Sequence, residues 1–115
     1  MREDLEMPAG KLSSQSGHAY VNAILQSLKQ RPEVLIDYQG DADIGTKCCL
    51  AAKNEQKILD AYEKAKEAGI PCSLIIDEHH IMLPHFTGKP IITGLGIGPA
   101  RRHEVPFLKR FSVWK

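Results

Sequence analysis

CSLIID, residues 72–77, decides the fold, because a short apolar run that ends in a carboxylate is typical of a strand buried on both faces. The residues before it, from Asn54 to Ala68, have apolar side chains at helical spacing, and Gly69 suits the end of a helix. Residues 78–90 have the composition of a loop, and residues 91–100 (IITGLGIGPA) predict a strand that runs into glycines and a proline-led turn. This alternation of helix and strand signals indicates an α/β fold.

The N-terminal half of the chain predicts another long helix. It is expected to start between Gly10 and Ser14 and to run to about Lys29, and Arg31-Pro32 is expected to end it. Its apolar residues cover a wide arc, which predicts a largely buried helix.

Shorter elements are predicted around these helices. They are a strand end at residues 1–5, a turn-rich loop at 39–45, a strand at 46–52, and a further helix or strand at 107–115. The complete pattern predicts a three-layer α/β/α sandwich with a mixed sheet of about four strands.

The composition is that of one globular domain over residues 1–115, with 43% hydrophobic and 25% charged residues. No apolar run approaches the roughly 18 residues that cross a bilayer, so no membrane association is expected. The acidic start, MREDLEMPAG, has no apolar core of the signal-peptide kind, and a cytoplasmic protein is the default expectation. Three cysteines, two of them adjacent, indicate small buried residues in a reducing compartment rather than a disulfide framework.

The net charge of +1 hides an asymmetry between the two ends of the chain. Residues 1–46 carry a net charge of −3, whereas residues 99–115, which include Arg101 and Arg102, carry a net charge of +4. A basic end of this kind is either a surface for phosphates or an ordinary solvated face, and the composition leaves both open.

A polar stripe is predicted on the first helix. At about 100° per residue, five side chains point within about 60° of one direction: Lys11, Ser14, Gln15, His18 and Asn22. Lys11 also lies near the helix N-terminus, where the helix dipole disfavours a cation. A residue that breaks a local rule is a candidate for function, and free N–H groups beside an ammonium suit an anion or an oxyanion. The alternative is a solvent-exposed face with one incidental histidine.

Three other features allow both a functional and a structural interpretation. Asp77 either lines a crevice at the end of its strand or caps the following turn. The glycines of residues 94–98 lack the dinucleotide fingerprint, so they are expected to allow close approach of backbone to backbone or to substrate. The three histidines of residues 79–85 match no zinc spacing and predict a mobile loop rather than a metal site.

Four segments, in chain order, resemble a known family. REDL, MPAGKLSSQSGHA, SLIID and TGLGIGPA are similar to motifs of the archaeal and eukaryotic type of peptidyl-tRNA hydrolase: R-x-D-L, M-x-x-G-K-x-x-A-Q-x-x-H-A, a strand ending in Asp, and T-V-L-G-I-G-P. The resemblance extends from Arg2 to Pro99, and the motif at residues 7–19 is its most specific part. It implies an enzyme that hydrolyses the ester between a peptide and the terminal ribose of tRNA, with no metal and no cofactor.

The resemblance also implies roles for particular side chains. Lys11, His18 and Asp77 stand where the family keeps functional residues. His18 or Asp77 would orient or deprotonate the attacking water, and Lys11 would steady the oxyanion or hold the terminal phosphate. Substrate contacts are expected from Gln15, Asn22, Thr93, Gly96, Gly98, Arg101 and Arg102. Peptidyl-tRNA is then the expected partner, and a homodimer the expected assembly.

Two departures from the family pattern leave alternatives open. Where the family has D-A-G-x-T, residues 77–81 read DEHHI, so Ile81 replaces a functional threonine and its side chain cannot hydrogen-bond. The family begins with an apolar strand before R-x-D-L, so the first strand is expected to be truncated: either the true start lies upstream, or the sheet is built with a stub. The alternative functions are a catalytically impaired tRNA- or RNA-binding relative with a regulatory or interaction role, and a domain that keeps only the fold.

Overall fold

The computed structural model describes residues 1–40 and 45–115, which contain three α-helices and six short β-strands. In chain order these are α1 (Ala9–Gln30), α2 (Pro32–Gln39), β1 (Leu50–Ala51), α3 (Glu55–Glu67), β2 (Cys72–Asp77), β3 (Ile81–Met82), β4 (Phe86–Thr87), β5 (Ile91–Ile97) and β6 (Ser112–Val113). Two 3₁₀ segments precede β6, at Arg102–Glu104 and Pro106–Arg110. The predicted α/β class is confirmed. The loop predicted for residues 39–45 lies mostly outside the described residues.

Helix α1 packs against β5 and β2 through small side chains. Its buried residues Ala19, Ala23 and Ser27 recur every four positions, and the Ser27 hydroxyl donates a hydrogen bond to the backbone oxygen of Gly98 at 3.2 Å. Small side chains at this spacing let the helix backbone approach the strand closely. The bounds of α1, Ala9 and Gln30, confirm the predicted position of this helix to within one residue at each end.

The predicted burial of α1 is wrong along one side of the helix. Val21, Leu25 and Leu28 are each more than half exposed. These residues share the wide apolar arc, but the contact with β2 and β5 covers only the part of that arc that carries the small residues.

Pro32 begins helix α2, which was not expected from the sequence pattern. Proline suits the first position of a helix, because its missing N–H would have no partner there and its φ is already helical. The same dipeptide that ends one helix can therefore start the next.

Strands β2 and β5 form the central antiparallel pair, in which Cys72 pairs with Ile97. The register shifts between Ile75 and Ile76, which pair with Gly94 and Ile92, so the intervening Thr93 is the extra residue of a bulge. Both α1 and α3 contact this pair.

Residues 1–3 connect the central pair to the antiparallel β1–β6 pair. Arg2 forms a parallel bridge with Ala52, and its backbone N–H donates to the oxygen of Thr93 at 2.9 Å. Among the described residues the strands form three two-stranded antiparallel sheets, in place of the mixed sheet of about four strands that was predicted. The three-layer arrangement stays a prediction.

Residues 78–90 were expected to form a loop but contain the β3–β4 hairpin, in which Met82 pairs with Phe86. Phe86 is fully buried in a cluster with Met1, Leu5 and Ile75, so it fastens the hairpin to the core. Two-residue strands are too short for an alternating pattern to be recognised in the sequence.

Helix α3 confirms its prediction at both ends. The side-chain oxygen of Asn54 accepts a hydrogen bond from the backbone N–H of Lys57 at 3.1 Å, and Gly69 has a φ of +71° just beyond the last turn. The strand predicted over residues 46–52 is shorter than expected, since only Leu50–Ala51 is paired with β6. Within the described ranges, none of the helices combines the length and the apolar character needed to cross a membrane.

An ion pair joins the end of α1 to the C-terminal segment. Arg31 donates to both carboxylate oxygens of Glu104, at 2.6 and 3.2 Å, and the backbone N–H of Arg101 donates to the same carboxylate at 2.8 Å. These hydrogen bonds, those from Arg31 above all, lower the pKa of Glu104 from its usual 4.5 to about 2. Folding therefore stabilises the ionised form of this side chain.

We expect Glu104→Gln to lower the free energy of unfolding by about 1–2 kcal/mol at pH 7, less than a fully buried pair because both side chains are partly exposed. Because the folded pKa lies below the unfolded one, this contribution is complete above pH 4.5 and is lost as the pH falls toward 2. Urea denaturation at pH 7 and pH 3 measures the difference, with the exposed Glu67→Gln as control. An equal destabilisation at both pH values contradicts this assignment.

Candidate active site

The ammonium of Lys11 is the centre of a polar cluster between α1, β2 and the β3–β4 hairpin. Its Nζ donates to Oδ2 of Asp77 at 2.9 Å and lies 2.6 Å from Nδ1 of His80. The same nitrogen lies 4.2 Å from the centre of the Phe86 ring. The side chains of Lys11 and Asp77 are 12% and 17% exposed, so most of the ion pair is shielded from water while one side stays accessible.

These contacts explain why a lysine is tolerated in the first turn of α1. The helix dipole is unfavourable for a cation there, and no acidic side chain occupies the first turn. Asp77 supplies the compensating charge from the end of β2, and the face of the Phe86 ring adds a cation–π contact. The unfavourable position of the Lys11 cation near the helix N-terminus is therefore compensated by Asp77 and Phe86, which are distant from it in the chain.

Gln15 and Thr93 form a second polar contact, one turn further along α1. The Thr93 hydroxyl donates to Oε1 of Gln15 at 2.7 Å, and the backbone oxygen of Ile75 lies 3.3 Å from the same hydroxyl. Both side chains are buried, Thr93 completely. Because Thr93 holds the oxygen of the Gln15 amide, the amide NH₂ is the end left to face other groups.

The rest of the predicted stripe faces solvent. Ser14, His18 and Asn22 are exposed. His18 follows Lys11 by seven residues, which is about 10 Å along the helix axis. The structure thus brings Lys11 and Asp77 into contact and leaves His18 on the open face of the same helix.

The glycines and arginines of the predicted site have their own contacts. A Cβ added at Gly96 would lie 2.1 Å from the backbone oxygen of Ala19, so this glycine allows the helix to approach the strand. Gly98, with a φ of +98°, donates its N–H to the oxygen of Pro71 at 2.8 Å.

The two arginines differ in their surroundings. Arg101 forms an ion pair with Asp37 of α2, which neutralises part of the basic segment. Arg102 is exposed at the edge of an open cavity of about 660 Å³, whose lining includes Ala19, Cys49 and Leu95 but not the Lys11 cluster.

Sequence reasoning missed two members of the cluster, His80 and Phe86, because both fell in the segment predicted as a loop. The available signal was that Phe86 is the one phenylalanine, tyrosine or tryptophan of residues 78–90, and it is fully buried. For His80, no sequence signal separates it from its neighbour His79, which is 85% exposed and lies near Glu78.

A shielded ammonium that faces a carboxylate and an imidazole on an α/β scaffold suits a hydrolase that stabilises a negatively charged intermediate. The sequence profile of the family described as peptidyl-tRNA hydrolase PTH2 matches residues 1–110. The chain therefore belongs to this family, and the resemblance inferred from the four motifs is confirmed.

Relatives from archaea and eukaryotes agree with this assignment. The peptidyl-tRNA hydrolase of Methanocaldococcus jannaschii is 30% identical over 105 residues, which cover 91% of this chain and 86% of that protein. The probable peptidyl-tRNA hydrolase 2 of Dictyostelium discoideum is 31% identical over 105 residues, 91% of this chain and 47% of its own length. The mitochondrial peptidyl-tRNA hydrolase 2 of Bos taurus is 31% identical over 100 residues, 87% of this chain and 54% of its own length.

Proposed function

We propose that this protein is a peptidyl-tRNA hydrolase that cleaves the ester between the peptide and the 3′ ribose of tRNA. Family membership supports the reaction, and the contact between Lys11 and Asp77 carries the assignment of the site. An ester hydrolase needs a group that accepts a proton from water and a group that stabilises the oxyanion, and this pair supplies one of each.

In the proposed reaction, Asp77 accepts a proton from the water that attacks the ester carbonyl. Lys11 stabilises the negative charge that develops on the carbonyl oxygen. The tetrahedral intermediate then breaks its bond to the ribose oxygen, which takes up the proton that Asp77 accepted, so that the carboxylate is regenerated. Asp77 is favoured over His18 as the base because only Asp77 contacts the ammonium, so both charges can act on the same carbonyl. The proposal assigns these steps to protein side chains and none to a metal or a cofactor.

The remaining residues of the site are proposed to bind substrate. His18 and Asn22 lie on the exposed face of α1 beyond Lys11, where they can contact the terminal nucleotide. The NH₂ group of Gln15, oriented by Thr93, is a hydrogen-bond donor near the same helix face. Gly96 lets α1 come close to β5, and Gly98 takes a positive φ just beyond the strand, so both are proposed to shape the backbone next to the substrate. Arg101 and Arg102 are proposed to contact tRNA phosphates.

Ile81 is the departure from the family pattern that bears on whether catalysis is retained. It replaces a threonine of the family and is 70% exposed on β3. The proposal of an active enzyme therefore requires the cluster to work without a hydroxyl at position 81.

The decisive experiment incubates the protein with N-acetyl-aminoacyl-tRNA or peptidyl-tRNA and measures free tRNA over time. We expect multiple turnovers without added metal. Binding without release of tRNA, weakened by salt, would instead establish the impaired RNA-binding relative. If the protein neither cleaves nor binds this substrate, the family's activity does not apply to it.

A homodimer is the assembly that we propose. Val21, Leu25 and Leu28 recur at helical spacing and form an exposed apolar stripe on α1, which is suited to packing on a second copy of the chain. Ile36 adds an exposed apolar side chain on α2. In a two-fold symmetric dimer each subunit would bury its own copy of this stripe against the other subunit.

Leu25→Glu is expected to convert the dimer to a monomer, because it places a carboxylate in the middle of the apolar stripe. Sedimentation equilibrium at micromolar concentration measures the mass. Val113→Glu, at another exposed apolar residue, is the control and should leave the mass unchanged. A monomeric wild-type protein would contradict the proposed dimer.

We propose the cytoplasm as the location. The support is chemical: all three cysteines are free thiols, and Cys48 is exposed. Free exposed thiols are typical of a reducing compartment.

A further inference from the structure

We propose that His80 is a positioning residue of the active site, which holds the Lys11 ammonium in place for catalysis. This inference rests on the proposed function, because it deepens the role given to Lys11. Its basis is the contact between Nδ1 of His80 and Nζ of Lys11 at 2.6 Å, which joins two residues 69 positions apart in the chain.

The hairpin brings His80 to this place. Beyond β2 the chain reverses at His79, which has a φ of +68°, and its N–H donates to the oxygen of Gly88 at 2.8 Å. The N–H of Gly88 returns a hydrogen bond to the oxygen of His80 at 3.1 Å. The buried Phe86 then fastens the hairpin to the core, with the ring of His80 6.0 Å from its own and tilted by 52°.

Side-chain alternation explains why residue 80, and not residue 81, reaches the cluster. Successive side chains of a strand point to opposite sides. Met82 packs against the core cluster, while Ile81 is turned to solvent and is 70% exposed. His80 comes directly before this strand, and although it is exposed, its ring lies on the same side as Met82, against Lys11 and Phe86. In this chain the hydrogen-bonding side chain of the hairpin that contacts Lys11 is therefore an imidazole at position 80.

The ammonium determines the tautomer of the imidazole. Lysine has only donors, so Nδ1 must accept the hydrogen bond and the proton of the neutral ring must lie on Nε2. Together with Asp77, His80 gives the ammonium two acceptors above the face of the Phe86 ring. These three contacts restrain the Lys11 side chain, which otherwise samples many rotamers.

The test compares His80→Ala with His80→Asn, whose amide oxygen can take the place of Nδ1 as a hydrogen-bond acceptor. We expect His80→Ala to lower kcat about tenfold to a hundredfold with little change in KM, because a displaced catalytic group slows the chemical step. His80→Asn should restore most of the rate, because the acceptor for the Lys11 ammonium is present again. His85→Ala, in the same hairpin, is the control and should keep the wild-type rate.

Two results overturn the inference. The first is a kcat for His80→Asn as low as that for His80→Ala, which would show that the imidazole does not act as a hydrogen-bond acceptor for Lys11. The second comes from ¹⁵N spectra of the histidine rings, which report the tautomer without any substrate: a His80 ring protonated on Nδ1 at pH 8 excludes the contact with Lys11. Because the spectra need no activity, they decide on His80 even if the wild type fails to cleave peptidyl-tRNA, and that failure would count against the proposed function alone.

Discussion

Lys11→Met is expected to lower kcat/KM for peptidyl-tRNA hydrolysis by about 10²–10³-fold, the loss typical of removing one group that stabilises an oxyanion. Methionine keeps an unbranched apolar side chain but has no atom in the place of Nζ, so the ion pair with Asp77 and the cation–π contact with Phe86 are both removed. The variant leaves Asp77 without its partner on the first turn of α1. Initial rates at saturating and limiting substrate separate a loss in kcat from a loss in KM.

Lys29→Met is the matched control for this variant. Lys29 is exposed in the last turn of the same helix, about 27 Å along its axis from Lys11. It should retain the wild-type rate, and thermal denaturation should show that both variants are folded. A Lys11→Met enzyme with more than a tenth of the wild-type kcat/KM would remove the ammonium from the proposed mechanism.

Gly96→Ala is expected to cost about 3 kcal/mol of the free energy of unfolding, at the upper end of the range for overpacking. The added methyl carbon would lie 2.1 Å from the backbone oxygen of Ala19 and 2.8 Å from its carbonyl carbon. Because both obstacles are backbone atoms, no side-chain rotation relieves the clash, and α1 must move away from β5. Urea denaturation at pH 7 measures the loss, and the displacement of α1 should also reduce activity through Lys11.

Gly17→Ala is the control for the backbone effect of replacing glycine. Gly17 lies in the middle of α1 with no atom within 4 Å of an added Cβ. Alanine favours the helix over glycine by up to about 1 kcal/mol, so this variant should be as stable as the wild type or more stable. If Gly96→Ala proved equally harmless, the close approach of α1 to β5 would not be a requirement of the fold.

Local sequence patterns were sufficient for the longer elements. The helical spacing of α1 and α3, the Asn54 cap and the apolar run of β2 each depend on neighbours within a few positions, and the position of each element was predicted. The predicted burial of β2 on both faces was wrong, since Ile76 is 56% exposed. The patterns failed where an element is short or begins at an unusual residue. The hairpin has two-residue strands, and α2 starts at a proline that also ends the preceding helix.

The candidate site was predictable only in part. The unfavourable position of Lys11 in its helix and the carboxylate at the end of β2 pointed to these two side chains, and they are in contact. His18 belonged to the same stripe by its spacing, yet it lies on the exposed face. Spacing along a helix gives a direction around the axis, but it does not say which part of that face another element covers.

The amino-acid sequence alone determined the class of fold, the family, and the residues that break local rules, because each of these is contained in short motifs and their order. Only the tertiary structure decided that His80 and Phe86 join Lys11, although 69 and 75 positions separate them from it. The close packing of α1 on β5 at Gly96 and the reversal of the chain after β2 bring these distant side chains together. Contacts of that kind depend on how elements pack in space, which no local periodicity records.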